Sequence, residues 1–100
     1  MTTADDNTAV GYNCMSDNAT GQYNTAIGRE AAKASTDNCN VAVGRRALYT
    51  STAADNVAVG FNCMFYNTTG TENTAVGRSA LETNTTASEI TAVGLSLIHI

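Results

Sequence analysis

The chain has no proline and no tryptophan, and its one histidine is His99, close to the end. A histidine-dependent base or metal centre therefore has nothing to build on. Charged residues make up 14% of the sequence, against about 25% in average domains. The net charge of −4 leaves no basic surplus, which excludes a nucleic-acid partner of the phosphate-binding kind. No apolar run approaches the roughly 18 residues of a membrane span. The three cysteines (Cys14, Cys39 and Cys63) are an odd count without metal or redox spacing. Paired carboxylates at a fixed offset, which a polysaccharide-cleaving site needs, are missing as well.

What fills the gap is repetition. The phrase Asn-Thr-Ala-Val-Gly recurs six times with small changes, closing on Gly11, Gly28, Gly44, Gly60, Gly77 and Gly94. The steps between those glycines are 17, 16, 16, 17 and 17 residues. So regular a period marks a repeat architecture rather than one ordinary domain. Five copies open on asparagine: Asn7, Asn24, Asn40, Asn56 and Asn73.

Counting from each glycine gives columns. Two residues before it stands alanine in every copy; one before it stands Val or Ile. Three and four after it come pairs such as Ala47-Leu48 and Cys63-Met64. Seven after it stand Asn18, Ser35, Ser51, Asn67 and Asn84, opening a polar stretch that absorbs the one-residue length differences, as a turn does. The phrase alternates, with Thr and Val on one side and Asn and Ala on the other, which is strand periodicity. Glycine then permits a backbone corner. The Ala-Leu or Cys-Met pair reads as the start of a second short strand or extended segment. Arg29–Ser35 has helical propensity, but equivalents such as Phe61-Asn62-Cys63-Met64 lack it, so the copies together exclude a helix. The fold class expected is all-β: a parallel β-solenoid of about five coils.

One coil is expected to bury one Val and one Leu or Met, too little to offset the ordering of a whole repeat. The coils must therefore stack, with equivalent asparagines forming an amide ladder. A seam built so largely of alanine is thin, and two further copies of the chain are its simplest support. The alanine column then marks a close approach, either across the coil or at a trimer axis.

The phrase, its period and the Ala-Leu pair together resemble the head repeats of YadA-like trimeric autotransporter adhesins. The longer form, residues 67–81, is similar to repeats in bacteriophage tail fibres. The resemblance spans residues 7–94 and implies a left-handed parallel β-roll, three chains side by side, in a stalk or head that touches a surface. It places the protein on a virion tail fibre or a bacterial cell surface, with a glycan or protein receptor. The 16–17-residue unit is longer than the adhesin form. Residues 1–6 read as a partial lead-in. Leu95-Ser96-Leu97-Ile98-His99-Ile100 breaks the columns and resembles a translated sequencing adapter, so 95–100 is expected to be a non-native tail of a fragment.

No catalytic, cofactor or metal residues are expected. Cys39 reads as an exposed free thiol, and Asp5, Asp6, Asp37 and Asp55 as solvated turn carboxylates. Asn18, Asn67 and Asn84 head glycosylation patterns that chance explains in so Asn/Thr-rich a chain. Two surface features remain: the column after the glycines (Tyr12, Arg29, Arg45, Phe61, Arg78) and the cluster Tyr49, Phe65 and Tyr66. They either cover the seam and pack between chains or recognise a partner, for which Arg and aromatics are favoured. The function expected is a non-catalytic structural and adhesive repeat. An ice-binding solenoid is the alternative, with a Thr column interrupted at Val41 and Val57; a polysaccharide-active enzyme is the third.

Overall fold

The computed structural model describes residues 6–17, 21–34 and 37–95. Six strands of three residues follow one another: β1 Thr8–Val10, β2 Thr25–Ile27, β3 Val41–Val43, β4 Val57–Val59, β5 Thr74–Val76 and β6 Thr91–Val93. They form one parallel sheet in chain order, so each strand pairs with the next copy of itself and the chain winds as a β-solenoid. Ala26 lies opposite Ala42, and Val59 opposite Val76. No helix occurs among the described residues.

The alternation within the phrase decides what is inside. The central alanine of β2 through β6 is buried, and so are Asn24, Asn40, Asn56 and Asn73. The Val and Ile column faces out, with Val10, Ile27, Val76 and Val93 exposed and Val43 and Val59 partly so. That corrects the expectation of one buried Val per coil. Alanine lines the inner wall because Leu48, Met64 and Leu81 fill the space from the other side. A larger inward residue on the strand would meet them. The alanine column thus marks an approach across the coil, not at an outside axis.

The expected second strand is also corrected. After each glycine the chain makes tight turns, with the second and fourth residues left-handed. Asn13, Met15, Glu30, Ala32, Arg46, Leu48, Asn62, Met64, Ser79 and Leu81 have φ between 50° and 60°. The third residue's N–H folds back to the glycine carbonyl, as from Ala47 to Gly44 at 3.2 Å. Coil-to-coil bonds continue the ladder, with the Leu48 N–H donating to Cys63 O at 3.0 Å and Met64 to Ala80 O at 2.9 Å. This conformation turns two consecutive side chains inward, and Ala47, Leu48, Cys63 and Met64 are all buried. A strand cannot do that, since its neighbours point to opposite faces. Each left-handed residue costs on the order of 1 kcal/mol, which the stacking offsets.

The glycines carry φ between +126° and +141° and lie over one another. A Cβ on Gly60 would come 2.5 Å from the carbonyl oxygen of Gly77, so the corner admits no side chain.

Polar columns hold the interior in register. Asn24 Oδ1 accepts from the N–H of Asn40 at 2.8 Å, Asn40 from Asn56 at 3.0 Å, Asn56 from Asn73 at 3.1 Å and Asn73 from Ile90 at 2.9 Å. The amide nitrogens donate to turn carbonyls, Asn56 to Gly70 O and Asn73 to Ala87 O, both at 2.9 Å. A second buried column stands where the sequence showed only a polar turn: Ser51, Asn67 and Asn84. Asn84 Nδ2 donates to Asn67 Oδ1 at 3.1 Å, and Asn67 Nδ2 to Gly70 O at 3.0 Å. Both asparagines are therefore structural and closed to glycosylation in the folded chain.

Replacing Asn56 with Ala strands the Asn73 N–H inside the coil, leaves the Gly70 carbonyl with Asn67 as its one side-chain donor, and opens a cavity where the amide stood. The expected loss is on the order of 3 kcal/mol, read as a shift in the urea unfolding midpoint. At Leu48, where φ is 52°, a β-branched residue is strained. Leu48→Ile is thus expected to lower the melting temperature more than Leu48→Met, the reverse of what volume alone predicts.

Candidate functional site

Each glycine corner throws the following residue outward, and the ladder sets those residues one above another. Tyr12, Arg29, Arg45, Phe61 and Arg78 form an exposed column along the C-terminal ends of the strands. The Arg29 guanidinium lies 5.6 Å from the centre of the Tyr12 ring. Arg45 and Arg78 come from the coils on either side of Phe61, each 5.7 Å from its ring centre. Stacking of this kind fixes a guanidinium without using its N–H donors.

A second cluster lies beside it. Tyr49 and Phe65 stack face to face, centroids 4.8 Å apart and planes 2° from parallel, and Tyr66 meets Phe65 edge-on at 4.6 Å. Tyr49 and Phe65 are half-buried and Tyr66 is exposed. Lys33 lies 5.5 Å and Arg46 5.7 Å from the Tyr49 ring. Arg46 Nε also donates to Glu30 Oε1 at 2.9 Å, a bond that holds the Glu30 carboxyl below its ordinary range. Lys33, Arg46 and Glu30 were not singled out from sequence, although their fixed offsets from Gly28 and Gly44 place them on this side.

No family model, curated protein or solved structure matches this chain.

Charge is sorted by edge. All five basic residues (Arg29, Lys33, Arg45, Arg46 and Arg78) fall within five residues after a glycine. At the other end of the strands, the position before the asparagine column carries Asp6, Asp55, Glu72 and Glu89, all exposed. An acidic chain therefore presents one basic, aromatic edge and one acidic edge. Asp17, Glu30 and Glu82 share the basic side. One buried side-chain polar atom among the described residues, Asn62 Oδ1, has no hydrogen-bond partner.

Among the described residues no three His, Cys, Asp or Glu side chains converge as a metal site. Asp5 and His99 lie outside those residues, as does most of the 95–100 segment; Leu95 is exposed. The cysteines are free thiols: Cys63 is buried, Cys14 half-buried and Cys39 exposed. Cys63 Sγ donates to Ala75 O at 3.2 Å, and Cys14 Sγ to Ala26 O at 3.1 Å. Burial pushes the Cys63 thiol up to about 11.

The folded chain keeps that thiol neutral where the unfolded chain, near an ordinary value of 9, begins to ionise. Its contribution to stability is therefore complete below pH 9 and is lost as pH rises towards about 11. A Cys63→Ala variant should show a weaker alkaline fall in melting temperature than the parent. At pH 8 a maleimide should label Cys39 rapidly and leave Cys63 unmodified until the chain unfolds.

Proposed function

We propose that this chain is a non-catalytic structural segment of a fibrous surface protein, with three copies packed side by side and adhesion as the larger purpose. The observation that carries the reading is the outer face of the sheet. Parallel sheets occur almost only with both faces covered. Here the inner face is closed by the coil, while the outer face carries Val10, Ile27, Val43, Val59, Val76 and Val93 in one row. Among the described residues nothing lies over that row, and a contiguous apolar strip of this kind is an interaction surface. Equivalent strips from further copies cover it with like chemistry at the same rung spacing. The number three comes from the resemblance to adhesin and tail-fibre repeats, as does the assignment to a virion fibre or bacterial surface.

The interior supports the same reading. Its polar groups are committed to register, and its apolar groups to filling a narrow coil, which is what a scaffold requires. The enzyme alternative would have to draw its acid–base pair from the exposed acidic edge, where Asp55, Glu72 and Glu89 stand on successive rungs, which corrects the expectation that no carboxylates share a fixed offset. The ice-binding alternative would employ the same outer face, where Thr8, Thr25, Thr74 and Thr91 stand in line with Val41 and Val57.

Sedimentation equilibrium tests the assembly. The chain is expected at three times the mass of one copy. Val43→Lys combined with Val59→Lys should reduce it to monomer while the far-ultraviolet spectrum stays that of the parent, since both side chains face outward. A folded parent that stays monomeric at high concentration sinks the proposal, and thermal hysteresis in its solutions would assign the face to ice instead.

A further inference from the structure

We infer that the basic edge binds an extended, linear acidic polysaccharide lying along the solenoid axis, its carboxylate or sulfate groups received by Arg29, Arg45 and Arg78. This deepens the adhesive reading above and rests on it for an edge that faces solvent in the assembled fibre.

Three observations carry the inference. First, these three arginines are exposed and stacked on aromatic rings, and among the described residues none of their guanidinium groups makes a hydrogen bond or ion pair. Their planar N–H edges are held in place and unspent, the condition for bidentate binding of an oxyanion. Part of the ordering cost of binding has already been met by the stacking.

Second, the ladder sets their spacing. Arg29 and Arg45 occupy adjacent rungs, and Arg78 follows two rungs on, with Phe61 between. Rungs repeat at about 4.8 Å, close to the rise of one sugar in an extended polysaccharide. A small anion would reach at most the adjacent pair Arg29 and Arg45; a linear polyanion meets Arg78 as well. The exposed Tyr12 and Tyr66 offer phenolic hydroxyls to the sugar hydroxyls.

Third, the faces of the central rings Phe61, Tyr49 and Phe65 are already taken. Phe61 has a guanidinium from each neighbouring coil, and Tyr49 and Phe65 cover one another. Single-stranded nucleic acid binds by laying bases on such faces, and here they are occupied. The acidic edge across the sheet repels a polyanion, so binding is confined to one side.

The test uses the full chain in its assembled state, with heparin as the sulfated probe, alginate as the carboxylated probe, dextran as the neutral control and poly(dT) as the nucleic-acid control. Titration at low salt should show heparin or alginate binding that weakens with added salt, and no dextran binding. Which of the two binds more tightly identifies the anionic group. Arg29→Gln, Arg45→Gln and Arg78→Gln together should weaken binding about tenfold, the sum of three modest exposed contacts. Glu72→Gln with Glu89→Gln on the other edge should not weaken it.

Unchanged affinity in the triple variant overturns the inference, as does equal binding of dextran or tighter binding of poly(dT). If the triple variant sediments as monomer, the edge is a contact between copies and the inference also fails. Should the triple variant unfold, R29Q and R78Q singly carry the same comparison. An assembled parent that binds neither polyanion removes this inference and leaves the scaffold reading. A monomeric parent that binds one removes the scaffold reading instead.

Discussion

The structure depends on one hydrogen bond made again at every coil. The side-chain oxygen of a buried asparagine accepts the backbone N–H of the asparagine one turn later, while its amide nitrogen holds the turn that closes the coil. A buried amide left unpaired is costly, so the bond penalises every register but one. The sheet alone could slide; the asparagine column cannot. With register fixed, glycine sits over glycine at a corner too tight for a Cβ, and alanine over alanine along the inner wall. The shape of the coil then follows.

That rigidity also arranges the surface. A side chain placed just after the corner in one coil has its counterpart directly above and below, so residue types at one offset become a continuous edge. The chain's cations were gathered onto one side in this way, and four carboxylates onto the other. In a globular domain such sorting would need many independent contacts. Here a single rule, the offset from glycine, performs it.

Much of this could be read from the sequence because the period is explicit. The fold class, the parallel stacking, the glycine corner and the asparagine ladder all follow from Asn, Ala and Gly returning every 16 or 17 residues. The direction of the valines did not follow. Alternation shows which residues share a face, but inside and outside look alike when one face is Ala and Asn and the other Thr and Val. The conformation after the corner did not follow either. Left-handed turns usually announce themselves through Gly or Asn, whereas Glu30, Arg46 and Leu48 give no such sign. The clue lay in two adjacent apolar residues per copy, a pattern incompatible with period two. The roles of Asn67 and Asn84 were hidden for a related reason: a polar residue in a turn looks the same whether it meets water or a buried carbonyl.

The handedness of those turns has a consequence for drift. Strand sites accept Val, Ile and Thr, while the fourth site after each of the first five corner glycines holds Met15, Ala32, Leu48, Met64 and Leu81, with no β-branched member. Both are apolar sites of one coil, yet the backbone divides the hydrophobic alphabet between them by where the side chain branches. Single exchanges between the two classes carry a backbone penalty, whereas adding or removing a whole coil would leave every column in place.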